Sequence, residues 1–246
     1  MAFTHLHLHT QYSLLDGSGR IPELISHAKE LGQDSIAITD HGAMYGVIDF
    51  YKEARKQGIK PILGCEVYVT GGSRFDREKT PNESLYHHLV LLCENNEGYH
   101  NLMKLVSRGF TEGYYYRPRV DMELLRQYHK GLIASSACLA GEIPKLLLRN
   151  MYDEARKAAL RYLDIFGEGN FFLELQDHGY EDQRFVNPGI MRLSEELHIP
   201  MIATNDVHYT YKEDAEAHDI LLCIQTGKKV SDTDRLRYPG GQFYLK

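Results

Sequence analysis

The sequence predicts an α/β fold, read as a distorted (β/α) TIM-like barrel with a metal cluster at the mouth formed by its strand ends. Three observations lead there. Short apolar runs alternate with helical patterns almost from end to end, the arrangement of a parallel sheet covered by helices. No glycine-rich phosphate loop follows the first strand, which disfavours an open doubly wound sheet. Polar residues of metal-ligand type follow several strands rather than gathering at one crevice. Seven strand signals instead of eight predict a barrel that is incomplete.

Phe3–His9 reads as the first strand, with His5, His7 and His9 on one face and Leu6 and Leu8 on the other. Ile21, Leu24, Ile25, Ala28 and Leu31 then form a helical stripe, with Pro22 near its start and Gly32 as its stop. Ser35–Thr39 is the second strand, followed by a helix with Val47, Phe50, Tyr51 and Ala54 inward and Gly58 at its end. Pro61–Thr70 is the third strand and Leu89–Cys93 the fourth, before a helix carrying Leu102, Leu105 and Val106. Gly131–Ser135 is the fifth, leading into a long helical region through Met151, Ala155, Ala158, Tyr162 and Ile165. Phe171–Leu175 is the sixth, followed by a helix with Ile190, Leu193 and Leu197. Met201–Thr204 is the seventh, and Glu213–Gln225 reads as a closing helix.

Between Thr70 and His87 no helical stripe is present. Parallel neighbours need a crossover, usually helical, whereas antiparallel ones need only a loop. The fourth strand is therefore expected to run antiparallel to the third. No internal repeat, low-complexity tract or linker divides the chain, and a single domain over 1–246 is expected.

Hydrophobic residues make up 43% and charged residues 25% of the 246, an ordinary soluble composition that argues against disorder. The net charge of −6 excludes a strong autonomous binder of nucleic-acid backbones, but a metal cluster can supply positive charge locally. No apolar run approaches the roughly 20 residues of a membrane span, and no signal peptide is evident, so no membrane partner is expected. Cys65, Cys93, Cys138 and Cys223 are widely spaced, which predicts reduced thiols in a cytoplasmic protein and, for any special cysteine, a ligand role.

In parallel α/β folds functional side chains gather at the carboxyl ends of strands. Here strand one ends in His7 and His9, with Asp16 shortly after, and strand two ends in Thr39-Asp-His41. Strand three carries Cys65-Glu66, strand five runs into Cys138, and strand seven ends in Asn205-Asp-Val-His208. Imidazole, carboxylate and thiolate together suit zinc or manganese and leave iron open. His88 begins a strand instead of ending one. An antiparallel fourth strand would bring it to the same mouth.

The segments Leu6-His-Leu-His-Thr10, Tyr12-Ser-Leu-Leu-Asp-Gly17, Thr39-Asp-His41, Gly64-Cys-Glu66, His88-Leu89, Ser136-Ala-Cys-Leu-Ala-Gly141 and Asn205-Asp-Val-His208 resemble the polymerase and histidinol phosphatase (PHP) family, most closely the PHP domains at the N-terminus of bacterial replicative DNA polymerases. The resemblance spans the chain, and although His-x-His alone is a weak signal, the combination is specific. It implies a distorted seven-stranded barrel holding up to three divalent metals. His7, His9, Glu66 and Asp206 would ligate the first. Glu66 would bridge to a second, completed by His88 and Cys138. Asp16, His41 and His208 would ligate the third. No polymerase palm is present, so the chain reads as an excised domain or a stand-alone relative.

With Glu66 shared, two metals would sit about 3.5–4 Å apart and activate a water for attack on phosphorus. Three divalent ions against Asp16, Glu66, Asp206 and ionised Cys138 would leave a charge of about +2 for a phosphate. Asp206, Glu66 and His178 are the candidates for catalysis, His178 as a proton donor or a group behind the ligands, or else as a solvated loop histidine. Tyr114-Tyr-Tyr-Arg-Pro-Arg119 offers Arg117 and Arg119 as contacts to single-stranded DNA, or else is a loop packed on its own domain or a neighbour. His5, farther from the strand end, is expected to hydrogen-bond in the core.

Function is then expected to be metal-dependent phosphoester hydrolysis, 3′–5′ exonuclease-like, linked to a replicative polymerase and its proofreading subunit. A small-molecule phosphomonoesterase of histidinol phosphatase type and a non-catalytic metal-stapled domain stay open. An amidohydrolase also starts with His-x-His but usually needs a lysine on the fourth strand, and Leu89–Glu94 has none.

Overall fold

The computed structural model describes residues 3–78, 84–238 and 240–246. In chain order its elements are α1 (Ile21–Glu30), β1 (Ser35–Ile38), α2 (Val47–Gln57), β2 (Lys60–Val69), β3 (His87–Cys93) and α3 (Asn96–Thr111). There follow β4 (Tyr114–Tyr115), β5 (Arg117–Val120), α4 (Met122–Tyr128), β6 (Leu132–Ser135), α5 (Glu142–Leu148) and α6 (Tyr152–Phe166). The chain closes with β7 (Phe171–Leu175), α7 (Glu181–Leu197), β8 (Met201–Ala203) and α8 (Ala215–Thr226), preceded by a 3₁₀ turn at Lys212–Asp214. No helix among the described residues is long and apolar enough to cross a membrane.

Contacts divide the chain into two compact units. The first holds Met1–His41, Tyr45–Leu63 and Thr204–Lys246; the second holds Gly42–Met44 and Gly64–Ala203. Residues 60–63 of β2 belong to the first unit and 64–69 to the second.

In the first unit β1 pairs parallel with the start of β2, Ser35 opposite Lys60 through Ile38 opposite Leu63. α1 packs on α2. Pro22 sits in the first turn of α1, where its missing N–H leaves no bond unmade, and Leu24, Ile25 and Ala28 bury one stripe. α2 ends at Gly58, whose φ of +80° is left-handed backbone that glycine takes without strain. The expected first strand is not a regular ladder. Leu8 N–H donates to the Thr39 hydroxyl at 2.8 Å, so a side chain stands in the ladder where a carbonyl would. The segment still lies along β1, with the Ala37 N–H on the His5 carbonyl and the Thr39 N–H on the Leu8 carbonyl.

In the second unit the strands run in the order β4-β5-β2-β3-β6-β7-β8, an open path of ladders. The sheet is mixed, not parallel throughout. β3 is antiparallel to both β2 and β6, as the missing crossover helix predicts, although residues 79–83 of that connection lie outside the described residues. β2–β5, β6–β7 and β7–β8 are parallel. Cys65, Val67, Leu89, Leu91, Leu102, Leu105, Phe171 and Ile190 belong to one continuous core. The N–H groups that open α3 and α4 are capped by Asn95 and Asp121, which accept from Gly98 and Leu124. The long helical region after β6 divides into α5 and α6, with Asn150 between them at φ +57°. α4 and the β4–β5 hairpin had no counterpart in the sequence reading.

Candidate metal centre

In the first unit one backbone contact sets four of the predicted ligands. The Val207 N–H donates to the His7 carbonyl at 3.1 Å and the His9 N–H to the Val207 carbonyl at 2.7 Å, making a parallel bridge between Leu8 and Val207. Leu8 and Val207 are fully buried, so alternation turns His7, His9, Asp206 and His208 to the other side. Asp206 Oδ1 accordingly lies 3.1 Å from His7 Nε2, 3.2 Å from His9 Nε2 and 3.7 Å from His208 Nδ1. Asp206 has φ +44°, a left-handed conformation in which strain marks functional positions.

Asp16 reaches the same group from a tight turn in which the Asp16 and Gly17 N–H groups both donate to the Ser13 carbonyl. A Cβ on residue 17 would stand 2.2 Å from the Thr10 carbonyl oxygen, so this approach requires glycine. Asp16 Oδ2 is 2.8 Å from His41 Nε2 and 3.9 Å from His208 Nε2. The His9 ring stacks on His41 at 4.0 Å and meets His208 at 4.5 Å. One ring nitrogen from each of His9, His41 and His208 falls within 4.8 Å of the others.

The ring protons show why this set fits a cation. His208 Nδ1 lies 2.8 Å from the Asp206 carbonyl oxygen, a pure acceptor, and must carry the proton. In the neutral ring Nε2 then presents a lone pair, buried and without a hydrogen-bond partner, toward the Asp16 carboxylate. Asp16 Oδ1 is likewise buried without a partner. A lone pair facing an anion in a dry site is repulsive unless a cation or a proton lies between them. Burial alone would raise the Asp16 carboxyl, but the His41 hydrogen bond and the electrostatic pull of the His208, His41 and His9 rings outweigh it and hold it well below the usual carboxylate range. Asp206 is held low in the same way, against burial, by His7, His208 and His9.

The second unit brings three more predicted ligands together. Antiparallel register sets Glu66 opposite Val90 and Tyr68 opposite His88, so Glu66 and His88 are diagonal neighbours on one face. His88 Nδ1 lies 2.9 Å from Glu66 Oε1, and Cys138 Sγ is 3.8 Å from each. Glu66 is fully buried. The Cys138–Gly141 turn delivers the thiol: the Gly141 N–H donates to the Cys138 carbonyl, and the His88 N–H to the Ala140 carbonyl. A Cβ on residue 141 would meet the Ser136 carbonyl oxygen at 2.1 Å. Carboxylate, imidazole and a sulfur at this spacing are a zinc-type donor set.

The other predicted site residues are placed as follows. His178, in the loop after β7, is buried. Its N–H donates to Gln183 Oε1 at 2.7 Å, which fixes the amide so that Gln183 Nε2 donates to His178 Nδ1, also at 2.7 Å. The His178 ring proton is therefore on Nε2. His5 is buried with Nε2 on the Lys246 carbonyl, and burial lowers its pKa to about 4, the core role expected for it. Arg117 is exposed, with its guanidinium over the Tyr68 ring. Arg119 corrects the expectation of a substrate contact: it is 2% exposed and donates to the carbonyls of Gly113, Arg74 and Asp76. Its charge is consumed in holding a loop.

Three residues went unassigned in the sequence reading. Asp40 and Ser13 are buried beside His9 and His41. Glu174, also buried, accepts from Ser135 Oγ at 2.5 Å and lines a cleft with Cys138, Gln176, Gln183 and Asn187. A lone carboxylate inside the apolar run Phe171–Leu175 was the available signal for it.

The PHP domain family profile matches residues 5–178. The DNA polymerase III alpha subunit of Treponema pallidum (strain Nichols) is 49% identical over 246 residues, covering 100% of this chain and 21% of that one. The alpha subunit of Helicobacter pylori (strain ATCC 700392 / 26695) is 46% identical over 255 residues, again covering 100% and 21%. The chain thus spans about a fifth of the length of these relatives. Among solved structures, a Bifidobacterium adolescentis protein provisionally described as a metal-dependent phosphoesterase superposes with a TM-score of 0.52 at 14% identity, covering 83% of this chain and 87% of that one. An amidohydrolase of Chromobacterium violaceum gives 0.50 at 14%, covering 84% and 87%. At that identity the structural likeness shows a shared fold. By the family match and by relatives nearly half identical along its whole length, this chain belongs to the PHP domain family.

Proposed function

We propose that this chain is a metal-dependent phosphoester hydrolase domain that removes nucleotides from DNA in the 3′–5′ direction, as one part of a bacterial DNA polymerase III alpha subunit. The observation that carries the reading is the buried convergence of imidazole nitrogens on Asp206 and Asp16, with Glu66, His88 and Cys138 forming a second donor set. Up to three divalent ions, zinc, manganese or iron, are the proposed cofactors; when bound, they supply Lewis-acid activation of water and neutralise phosphoryl charge.

The protein's own part is to present the ligands and manage protons. His7, His9 and Asp206, with Asp16, His41 and His208, would hold ions in the first unit. Glu66, His88 and Cys138 would do so in the second. His178, whose proton is fixed on Nε2 by Gln183, is the proposed donor to the leaving oxygen. Arg117 remains the proposed contact to the substrate backbone. The proposed setting is cytoplasmic, with polymerase domains and a proofreading subunit as protein partners.

The test compares wild type with Asp206→Ala, each metal-analysed, on 3′-labelled single-stranded DNA and on p-nitrophenyl phosphate. Metal-dependent loss of 3′ nucleotides in wild type alone is expected. Hydrolysis of only the small ester would move the reading to a phosphomonoesterase. Metal retention with no hydrolysis of either substrate would make the domain structural.

A further inference from the structure

Asp40 stands two residues beyond the end of β1 and is 1% exposed, a position where a carboxylate needs several donors. It has them. Thr10 N–H donates to Oδ1 at 2.6 Å, Ser13 Oγ to Oδ1 at 2.8 Å, and Thr10 Oγ1 to Oδ2 at 2.8 Å. Ser13 has only one hydroxyl proton, and Asp40 takes it. The two lone pairs of Ser13 Oγ are left to accept, and two donors face them: the His41 backbone N–H at 3.1 Å and His9 Nδ1 at 3.0 Å. His9 Nδ1 must then carry a proton, which in the neutral ring leaves the Nε2 lone pair directed at Asp206 Oδ1, 3.2 Å away. One buried hydroxyl thus fixes the ring state of His9 and anchors the backbone of His41.

We propose that Asp40 and Ser13 are positioning residues: together they hold His9 in the Nδ1-protonated form and seat His41, so that both rings are presented ready-made to a divalent cation. The proposal rests on the metal-binding reading given above and adds two residues that touch neither ion nor substrate. Outer partners of this kind orient a ligand ring, fix its tautomer and raise its basicity. The carboxylate acts on His9 only through the serine, so the two residues should not be equivalent. Removing the hydroxyl leaves two donors without an acceptor. Changing Asp40 to Asn keeps an oxygen for Thr10 N–H and Ser13 while removing the charge and the Oδ2 acceptor of the Thr10 hydroxyl.

The experiment titrates zinc into metal-free wild type, Ser13→Ala and Asp40→Asn by chelator competition, and reads the His9 tautomer by ¹⁵N NMR of the metal-free proteins above the imidazole titration. Ser13→Ala should weaken zinc binding about 10–100-fold and Asp40→Asn by less, with metal-free melting temperatures showing that both variants are folded. Wild type should carry the His9 proton on Nδ1, and Ser13→Ala should shift it toward Nε2. A purely structural role would lower melting temperature without moving the tautomer. Zinc affinity equal in wild type and folded Ser13→Ala, or a wild-type proton on Nε2, overturns the proposal. If Ser13→Ala does not fold, Asp40→Asn decides by the same affinity measurement, and wild-type affinity there overturns the role of the carboxylate. A wild type that takes up no zinc overturns the metal reading itself, which is a different result.

Discussion

Asp206→Asn isolates the charge of the residue on which three imidazoles converge. The replacement is isosteric, and Asn tolerates the left-handed φ of +44° as well as Asp does, so the backbone is not disturbed. Asp206 is one of two carboxylates, with Asp16, in the ligand set proposed for the first unit, and the substitution removes half of its anionic charge. Losing even an outer partner of a ligand typically weakens metal binding 10–100-fold, so about 100-fold is a floor for the ligand itself. At zinc one hundred times the wild-type Kd, binding stabilises the folded state by about 2.7 kcal/mol; at a hundredfold weaker affinity this falls to about 0.4 kcal/mol. The difference of about 2.3 kcal/mol corresponds to about 5–9 °C for a chain of this size, at roughly 2–4 °C per kcal/mol. Differential scanning calorimetry with and without zinc reads it directly. The expected outcome is a zinc-induced rise in wild type that is nearly absent in Asp206→Asn. A variant with the full wild-type rise would show that Asp206 is not a ligand and refute the reasoning from its contacts.

Cys138→Ser should abolish the thiolate-to-metal absorption of the cobalt-loaded protein while leaving ions bound by the first unit; a band that persists would place the sulfur ligand elsewhere. Arg119→Gln should destabilise the fold by about 2–4 kcal/mol in urea unfolding, since three carbonyls lose a buried charged donor, and an unchanged midpoint with weakened oligonucleotide binding would restore Arg119 as a substrate contact. His5 sets a pH dependence. Burial keeps its folded pKa at about 4 against 6.5 unfolded, so the unfolded chain takes up the proton first as pH falls. That contribution to stability is whole above pH 6.5 and is lost progressively toward pH 4, by about 3 kcal/mol. His5→Gln should lack this loss in unfolding titrations, and parallel curves for the two proteins would contradict it.

Much of the convergence of the proposed ligands was legible because the governing physics is local. Alternation alone predicts that His7 and His9 share a face, and that Asp206 and His208 do, and the Leu8–Val207 bridge is how the two pairs meet. The antiparallel β3 was legible from a missing helix, and it places His88 beside Glu66. The rest depends on partners far away in sequence. Thr39 breaks the ladder at Leu8 with its hydroxyl, a competition that no periodicity reveals. Arg119 looked like a surface charge by residue type, but the carbonyls of Arg74 and Asp76, more than forty positions away, claim it. The hairpin that carries it turns at Tyr116 with φ +61°, without the Gly or Asn that would have announced it. Asp40 was visible inside Thr39-Asp-His41, yet the role proposed for it emerges only when Ser13, twenty-seven positions earlier, is seen to donate its hydroxyl to it.

The central claim is that the buried imidazoles and carboxylates of this chain are metal ligands. It is tested most directly by counting divalent ions in the purified protein after exhaustive dialysis, by elemental mass spectrometry, beside Asp206→Asn and Cys138→Ser. Tightly held ions in wild type, up to three per chain, with a different subset lost in each variant, is the predicted result. A folded wild type that retains no ion would contradict it.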